Sequence, residues 1–288
     1  MARIRLALLR GVCQMPAYVA HHKGYFADEG LEAEVDIAPT AWLVPQQLID
    51  GAVDFAVIPW TRIAAGASEG LPLKVICGSG VEEAAIVLRR DVDPDQVRAV
   101  GVPQEGGMKD LTAMGLIERL GWSDAKIVRS PSGDGTILAL IGEAVDAASM
   151  VEPWASMLEE LGVGRVLQRT GDVWPGAPGC SLTTTDDHIQ RDPPLVQAVV
   201  RAFVRGARHV AEAPDEAADI AARYIAVDAR FVRCALRSNR PDVLALHNQA
   251  AMDTIIDLML ERGYIALRPG DYADLRFVEA IREDSVAG

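Results

Sequence analysis

Cys13 stands three residues before a proline in Cys13-Gln14-Met15-Pro16, between an apolar strand-like segment and a helical one. A thiol near a helix N-terminus can have its pKa lowered, and the thiolate is the nucleophilic form. A free cysteine is as often a small, half-buried apolar side chain, so Cys13 is open to both roles. Trp60-Thr61-Arg62 supplies a guanidinium whose planar fork suits a carboxylate or a similar anion. Gly106-Gly107-Met108-Lys109 opens a helix, where backbone N–H groups and a lysine charge can meet an anion, although a plain tight turn has the same composition. Trp42 follows the second strand, and Trp60 and Trp154 end strands. Three tryptophans at such ends favour a planar or aromatic ligand over a small inorganic anion, if they are not core residues.

The elements that must hold these residues alternate as in a parallel α/β protein. Strands are expected over 3–9, 31–37, 55–58, 73–77 and 84–89, then over 98–102, 126–129 and 147–151. Helices are expected over 16–29, 45–50, 108–120 and 135–141. A weak internal repeat relates the two sets. Leu48-Ile49-Asp50-Gly51-Ala52-Val53-Asp54 leads to Pro59-Trp60, and Leu140-Ile141-Gly142-Glu143-Ala144-Val145-Asp146 leads to Glu152-Pro153-Trp154. Each half thus runs through helix, tight turn, Val-Asp and apolar strand to Pro-Trp at the strand's carboxyl end. Ligands of open α/β sheets bind outside those ends, and two facing ends would form an interdomain cleft. Asp54 and Asp146 are expected as turn or capping residues, and Asp186-Asp187-His188 as a helix cap before Pro193 rather than a metal site. Past Asp187 the pattern is helical only, over 193–213, 214–226, 243–262 and 272–283, and this tail should pack back onto the first half.

Composition narrows the class. Of 288 residues, 50% are hydrophobic, but charged residues (24%) interrupt every long apolar run. None approaches the ~18 uncharged residues that a membrane span needs, so a membrane-spanning chain is excluded. The formal net charge of −13 repels phosphate backbones, and Arg201, Arg205 and Arg208 form a solvated helix face rather than a nucleic-acid patch. Cys13, Cys77, Cys180 and Cys234 are too far apart in sequence for a CxxC motif, and reduced thiols are expected. No metal and no cofactor is expected. The apolar piece between Arg5 and Arg10 is shorter than the 7–15 residues of a signal peptide's apolar region. As written the chain is expected in the cytoplasm; a processed form would belong in the periplasm or at the cell surface.

The segment Pro16-Ala17-Tyr18-Val19-Ala20-His21-His22-Lys23-Gly24-Tyr25-Phe26-Ala27-Asp28-Glu29-Gly30-Leu31 resembles the signature of the sulfonate/nitrate/thiamine-precursor solute-binding family of ABC transporters. Gly51-Ala52-Val53-Asp54-Phe55-Ala56, Glu152-Pro153-Trp154-Ala155 and Pro193-Pro194-Leu195-Val196 are similar to its later landmarks. The resemblance spans nearly the whole chain. It implies a type II periplasmic-binding-protein fold: two α/β lobes, 1–86 with 185–288 and 87–184, joined by two strands and closing over a small molecule. It also places Cys13 at the cleft floor and the Gly107 helix at an anion. Cys13, Gln14, Trp42, Trp60, Thr61, Arg62, Gly107, Met108, Lys109, Glu152 and Trp154 are therefore the candidate ligand contacts. The implied partners are an anionic or aromatic organic ligand and, for an exported chain, an ABC-transporter permease; a monomer is expected. Met108 stands where relatives carry Ser or Thr, which removes a hydroxyl donor. The alternative is an enzyme on the same fold. Cys13-x-x-Pro16 and Trp60-Thr61-Arg62 resemble the aromatic sulfinate desulfinases, in which the cysteine is the nucleophile. Their catalytic histidine has no counterpart here, since no histidine lies between His22 and His188.

Overall fold

Two five-stranded sheets carry the whole architecture, each with four strands running one way and a single antiparallel strand, β10 in the first and β5 in the second. The computed structural model describes residues 1–117, 119–131 and 133–287. The chain starts with β1 (Ala2–Leu8), a 3-10 turn (Val12–Gln14), α1 (Met15–His22), α2 (Tyr25–Asp28), β2 (Leu31–Ile37), α3 (Val44–Ile49), β3 (Phe55–Pro59), α4 (Trp60–Ser68) and β4 (Leu73–Gly78). It continues through β5 (Ala84–Arg89), β6 (Ala99–Val102), α5 (Met108–Ile117), β7 (Lys126–Arg129), α6 (Gly133–Ile141), β8 (Ala147–Val151), α7 (Trp154–Glu160) and β9 (Gly164–Arg169). The return consists of β10 (Cys180–Thr185), α8 (Asp186–Arg191), α9 (Pro193–Glu212), α10 (Pro214–Ile225), α11 (Ala229–Ala235), α12 (Gln249–Glu261) and α13 (Arg276–Ala287). Among the described residues no helix is long and apolar enough to cross a membrane.

The first sheet has the order β2-β1-β3-β10-β4 and the second β7-β6-β8-β5-β9. Strand alternation assigns side chains to the two faces of each sheet. Leu6, Leu8 and Val57 join α1 and Phe203 of α9 on one face; Ala7, Ala56 and Ile58 join α4 and α12 on the other. Both faces are covered, which is why these strands are almost uninterruptedly apolar. In the second sheet Ala85, Val87 and Met150 pack under α6 and α7, while Ile86, Leu88 and Val100 pack under α5.

The internal repeat has a physical basis. Asp54 Oδ2 accepts the Arg5 backbone N–H at 2.7 Å, and Asp54 N–H is donated to the Arg5 carbonyl at 2.9 Å. Asp146 Oδ2 accepts the N–H groups of Arg98 and Ala99 at 2.8 and 3.0 Å, and its own N–H is donated to the Ala99 carbonyl. Each Val-Asp thus fixes the register of a parallel strand pair, β1 with β3 and β6 with β8.

Three expectations change. Gly24, with φ +76°, divides the expected 16–29 helix into α1 and α2, because a left-handed residue ends the first helical ladder. The links between the sheets are residues 79–83 and 170–179, so Ala84–Ile86 belongs with the second sheet and residues 180–184 with the first. That moves the expected lobe edges at 86/87 and 184/185. The links pair as an antiparallel ribbon through Ser79 N–H to the Cys180 carbonyl (3.0 Å), Gly179 N–H to Gly80 (2.8 Å) and Glu82 N–H to Ala177 (2.9 Å). The helical tail also reaches beyond the first sheet: on α11, Cys234 Sγ lies 3.7 Å from Glu160 of α7.

Candidate functional site

A cavity of about 260 Å³ lies between the two sheets, at the carboxyl ends of β1, β3 and β8. From the first sheet's side its wall is built by Leu9, Arg10, Cys13, the 37–42 loop with Trp42, Pro59 and Arg62. The second sheet's side contributes Gly107, Met108, Lys109, Asp134, Ile137, Met150 and Trp154. Glu83, from the first link, and Cys180, the first residue of β10, line the floor. Trp42, 48% exposed, stands at the rim on a loop.

Arg62 projects from the first turn of α4 across to the Gly106-Gly107 turn before α5. Its Nη2 donates to the Gln104 carbonyl at 3.3 Å. Its Nε is buried without a hydrogen-bond acceptor, and among the described residues it forms no ion pair. Burial pulls the guanidinium below the ordinary arginine range, against the charges of Asp110 and Glu105. Desolvation likewise lowers the Lys109 ammonium, which lies within electrostatic reach of Cys180, Cys13, Asp134 and Glu83. Two desolvated cations therefore face one cavity. The α5 terminus offers less than its glycines suggest, since Asp110 Oδ2 already accepts the Gly106 N–H at 2.9 Å.

On the floor, Cys13 Sγ lies 3.2 Å from Cys180 Sγ and 3.2 Å from Gln14 Nε2. The Glu83 carboxylate accepts the Cys180 backbone N–H at 2.6 Å. Glycines make room for it: a Cβ at Gly80 would fall 1.8 Å from Glu83 Oε1, and one at Gly179 would fall 2.1 Å from Glu83 Cδ. Cys13 Sγ, Cys180 Sγ and a Glu83 oxygen lie within 4.8 Å of one another and could together hold a metal ion. The Cys180 contact pulls the Cys13 thiol down, but burial and the Glu83 charge outweigh it and leave the thiol above the ordinary cysteine value. The Cys13 contact and burial push Cys180 well up, and burial raises Glu83. The lowered thiol pKa that a nucleophile requires is not what this environment produces. At neutral pH, iodoacetamide should label the partly exposed Cys234 first and leave Cys13 slow and Cys77 slowest, with Cys13 accelerating only in alkali; peptide mass spectrometry reads the order, and Cys13 labelling fastest near pH 7 would contradict it.

Several expected contacts have other roles. Trp60 is 0% exposed, donates its indole N–H to the Pro178 carbonyl at 2.9 Å and stacks on Tyr272, so it is a core residue bracing the second link. Thr61 is buried, and its hydroxyl donates to the Gly106 carbonyl at 2.8 Å, tying α4 to the second sheet's side. Gln14 is buried and accepts the Leu9 N–H through Oε1, bracing the loop that carries Cys13. Glu152 pairs with Arg169 at 2.7 Å and accepts the Ser156 N–H at the start of α7. None of these four lines the cavity, because each has its polar atoms consumed by the scaffold. Sequence reasoning missed Glu83, Cys180, Arg10 and Asp134. Arg10 pairs with Asp134 across the mouth at 3.2 Å, and Val12 N–H is donated to the Glu152 carbonyl at 3.0 Å. With Thr61 and Arg62, these bonds hold the two sides together.

A family model described as the NMT1-like family matches residues 1–226. The riboflavin-binding protein RibY of Chloroflexus aurantiacus is 27% identical over 225 residues, which is 73% of this chain and 62% of that protein. The chain therefore matches less than two thirds of that relative's length. Among solved structures, the ligand-binding component of an ABC-type import system from Staphylococcus aureus, solved with zinc bound, superposes with a TM-score of 0.85. It is 15% identical, with 97% of this chain and 98% of that one covered. The alkanesulfonate-binding protein SsuA of Xanthomonas axonopodis pv. citri, bound to MOPS, gives a TM-score of 0.79 at 15% identity, covering 94% and 96%. At such identities the likeness concerns the fold, that of the type II periplasmic binding proteins.

Proposed function

As the chain belongs to the NMT1-like family, we propose that it is the solute-binding component of an ABC-type import system, taking an anionic organic molecule into the cleft between its two sheets. The observation that carries this reading is Arg62, a half-buried arginine on the cavity wall whose buried Nε has no acceptor and whose charge has no ion-pair partner among the described residues. An anion that accepts from Arg62 and Lys109 fills that vacancy, with Trp42 and Trp154 flanking an apolar or planar body. The repeated Pro-Trp strand ends and the two-segment link suit a hinge about 79–83 and 170–179, with the sheets as its two lobes. Solute captured in this way would be delivered to a permease from the outer side of a membrane. The similar proteins supply three members of the test panel, MOPS, a short alkanesulfonate and riboflavin, and the family resemblance supplies nitrate. One panel member at about 100 times its Kd should raise Tm by about 5–10 °C. No shift with any anionic member, with the chain folded, would contradict an anion site of this kind.

A further inference from the structure

We propose that Cys13, Cys180 and Glu83 form a mononuclear site for a thiophilic divalent cation at the cleft floor, with its fourth coordination position open to the cavity. This goes beyond the solute-binding reading and does not depend on it. Three observations converge. The three ligand atoms come from three separate segments, the β1–α1 loop, the first link and the start of β10, yet lie within 4.8 Å of one another, with all three residues buried and lining the cavity. Glu83 is a desolvated carboxylate that forms no ion pair among the described residues. Its slot exists only because residues 80 and 179 lack a Cβ. A buried carboxylate held beside two thiols in a glycine cradle is an acceptor in want of a cation.

Charge and geometry both fit. Two thiolates and a carboxylate around a divalent ion leave a net single negative charge, and the Lys109 ammonium beside the cluster balances it. Bonds of ~2.3 Å from a tetrahedral zinc-class ion put two thiolate sulfurs ~3.8 Å apart. Cys13 and Cys180, at 3.2 Å, need spread only slightly. Sulfur donors select a thiophilic ion over magnesium or calcium. On binding, two metal–sulfur bonds and one metal–oxygen bond to Glu83 form, the ion gives up water ligands to solvent, both S–H bonds break and their protons pass to solvent, with no change of oxidation state. Three protein ligands and one vacant position are the arrangement of an open site.

Cadmium chloride alone, titrated into the full chain under a phosphine reductant, tests the site. The expected result is a thiolate-to-cadmium charge-transfer absorption saturating at about one ion per chain. Cys13→Ser and Cys180→Ser should each weaken binding by at least about 100-fold, beyond the 10–100-fold typical of losing a supporting partner, and Glu83→Gln should weaken it by about 10-fold or more. Cys234→Ser, far from the cluster, should change nothing. In the unmutated chain, in alkaline buffer where the metal-free thiols react, bound cadmium should protect Cys13 and Cys180 from alkylation while Cys234 still reacts, which reads the site even if a serine variant fails to fold. No charge-transfer absorption at saturating cadmium, or protection of Cys234 in place of Cys13 and Cys180, would overturn the proposal. So would undiminished affinity in both folded serine variants.

Discussion

Trp60→Ala should lower the unfolding free energy by about 3–5 kcal/mol, the cost of emptying a fully buried aromatic site. Three losses combine. The indole leaves a void under α12 and beside Ile58 and Ile63, the stack on Tyr272 disappears, and the Pro178 carbonyl loses its donor. Against a typical total of about 5–15 kcal/mol, such a change brings the chain near its folding threshold. Trp60→Phe separates the contributions, since the ring keeps most of its packing while the carbonyl stays unpaired, for a loss of about 1–3 kcal/mol. Urea unfolding of both variants provides the comparison. Because the bond reaches Pro178 in the second link, both changes act on the scaffold. Ligand affinity of folded Trp60→Phe should stay within a few-fold of the parent chain. A near-parental midpoint for Trp60→Ala would mean that the indole is not part of this core.

Arg62→Ala should weaken binding of an anionic panel compound by about 1.5–3 kcal/mol, or about 10- to 150-fold, the range for hydrogen bonds to a charged group. Desolvation strengthens the expected effect, since a guanidinium already removed from water gives up less on meeting an anion. Stability should fall little or rise, because the change removes a half-buried charge that has no ion-pair partner among the described residues and lacks an acceptor at Nε. Arg62→Lys should not restore affinity fully, for an ammonium cannot offer the parallel N–H pair. Calorimetry of the three proteins against one compound distinguishes these outcomes. Equal affinity in all three would make Arg62 a structural residue that ties α4 to the Gln104 carbonyl.

The sequence carries the fold unusually openly and the site only partly. The paired Val-Asp and Pro-Trp landmarks are legible because each aspartate does the same job, fixing a parallel register through backbone N–H groups. Strand β9 escapes notice because Arg165, Gln168 and Arg169 make it read as a polar loop, although it completes the edge of the second sheet. Trp60 and Trp154 begin equivalent helices and yet face different surroundings. Among the described residues only the first has a carbonyl acceptor and an aromatic partner from distant segments, and local sequence contains neither. Cys13 and Cys180 are separated by 167 positions, so no spacing rule brings them together. A faint signal existed in Gly80-Val81-Glu82-Glu83-Ala84-Ala85, where an acid follows a glycine on the way into an apolar strand.

Closure of the two sheets over an anion changes the dimensions of the whole chain, which small-angle X-ray scattering measures. The chain is measured alone and with the panel compound that gives the largest thermal shift, at saturation confirmed by calorimetry. Bonds such as Thr61 to Gly106 and Arg10 to Asp134 span the two sides and can form only when these approach. The radius of gyration should be smaller with ligand, and Thr61→Val, which loses the buried crossing bond, should contract less. An unchanged radius at saturation would contradict a hinge that closes on its solute.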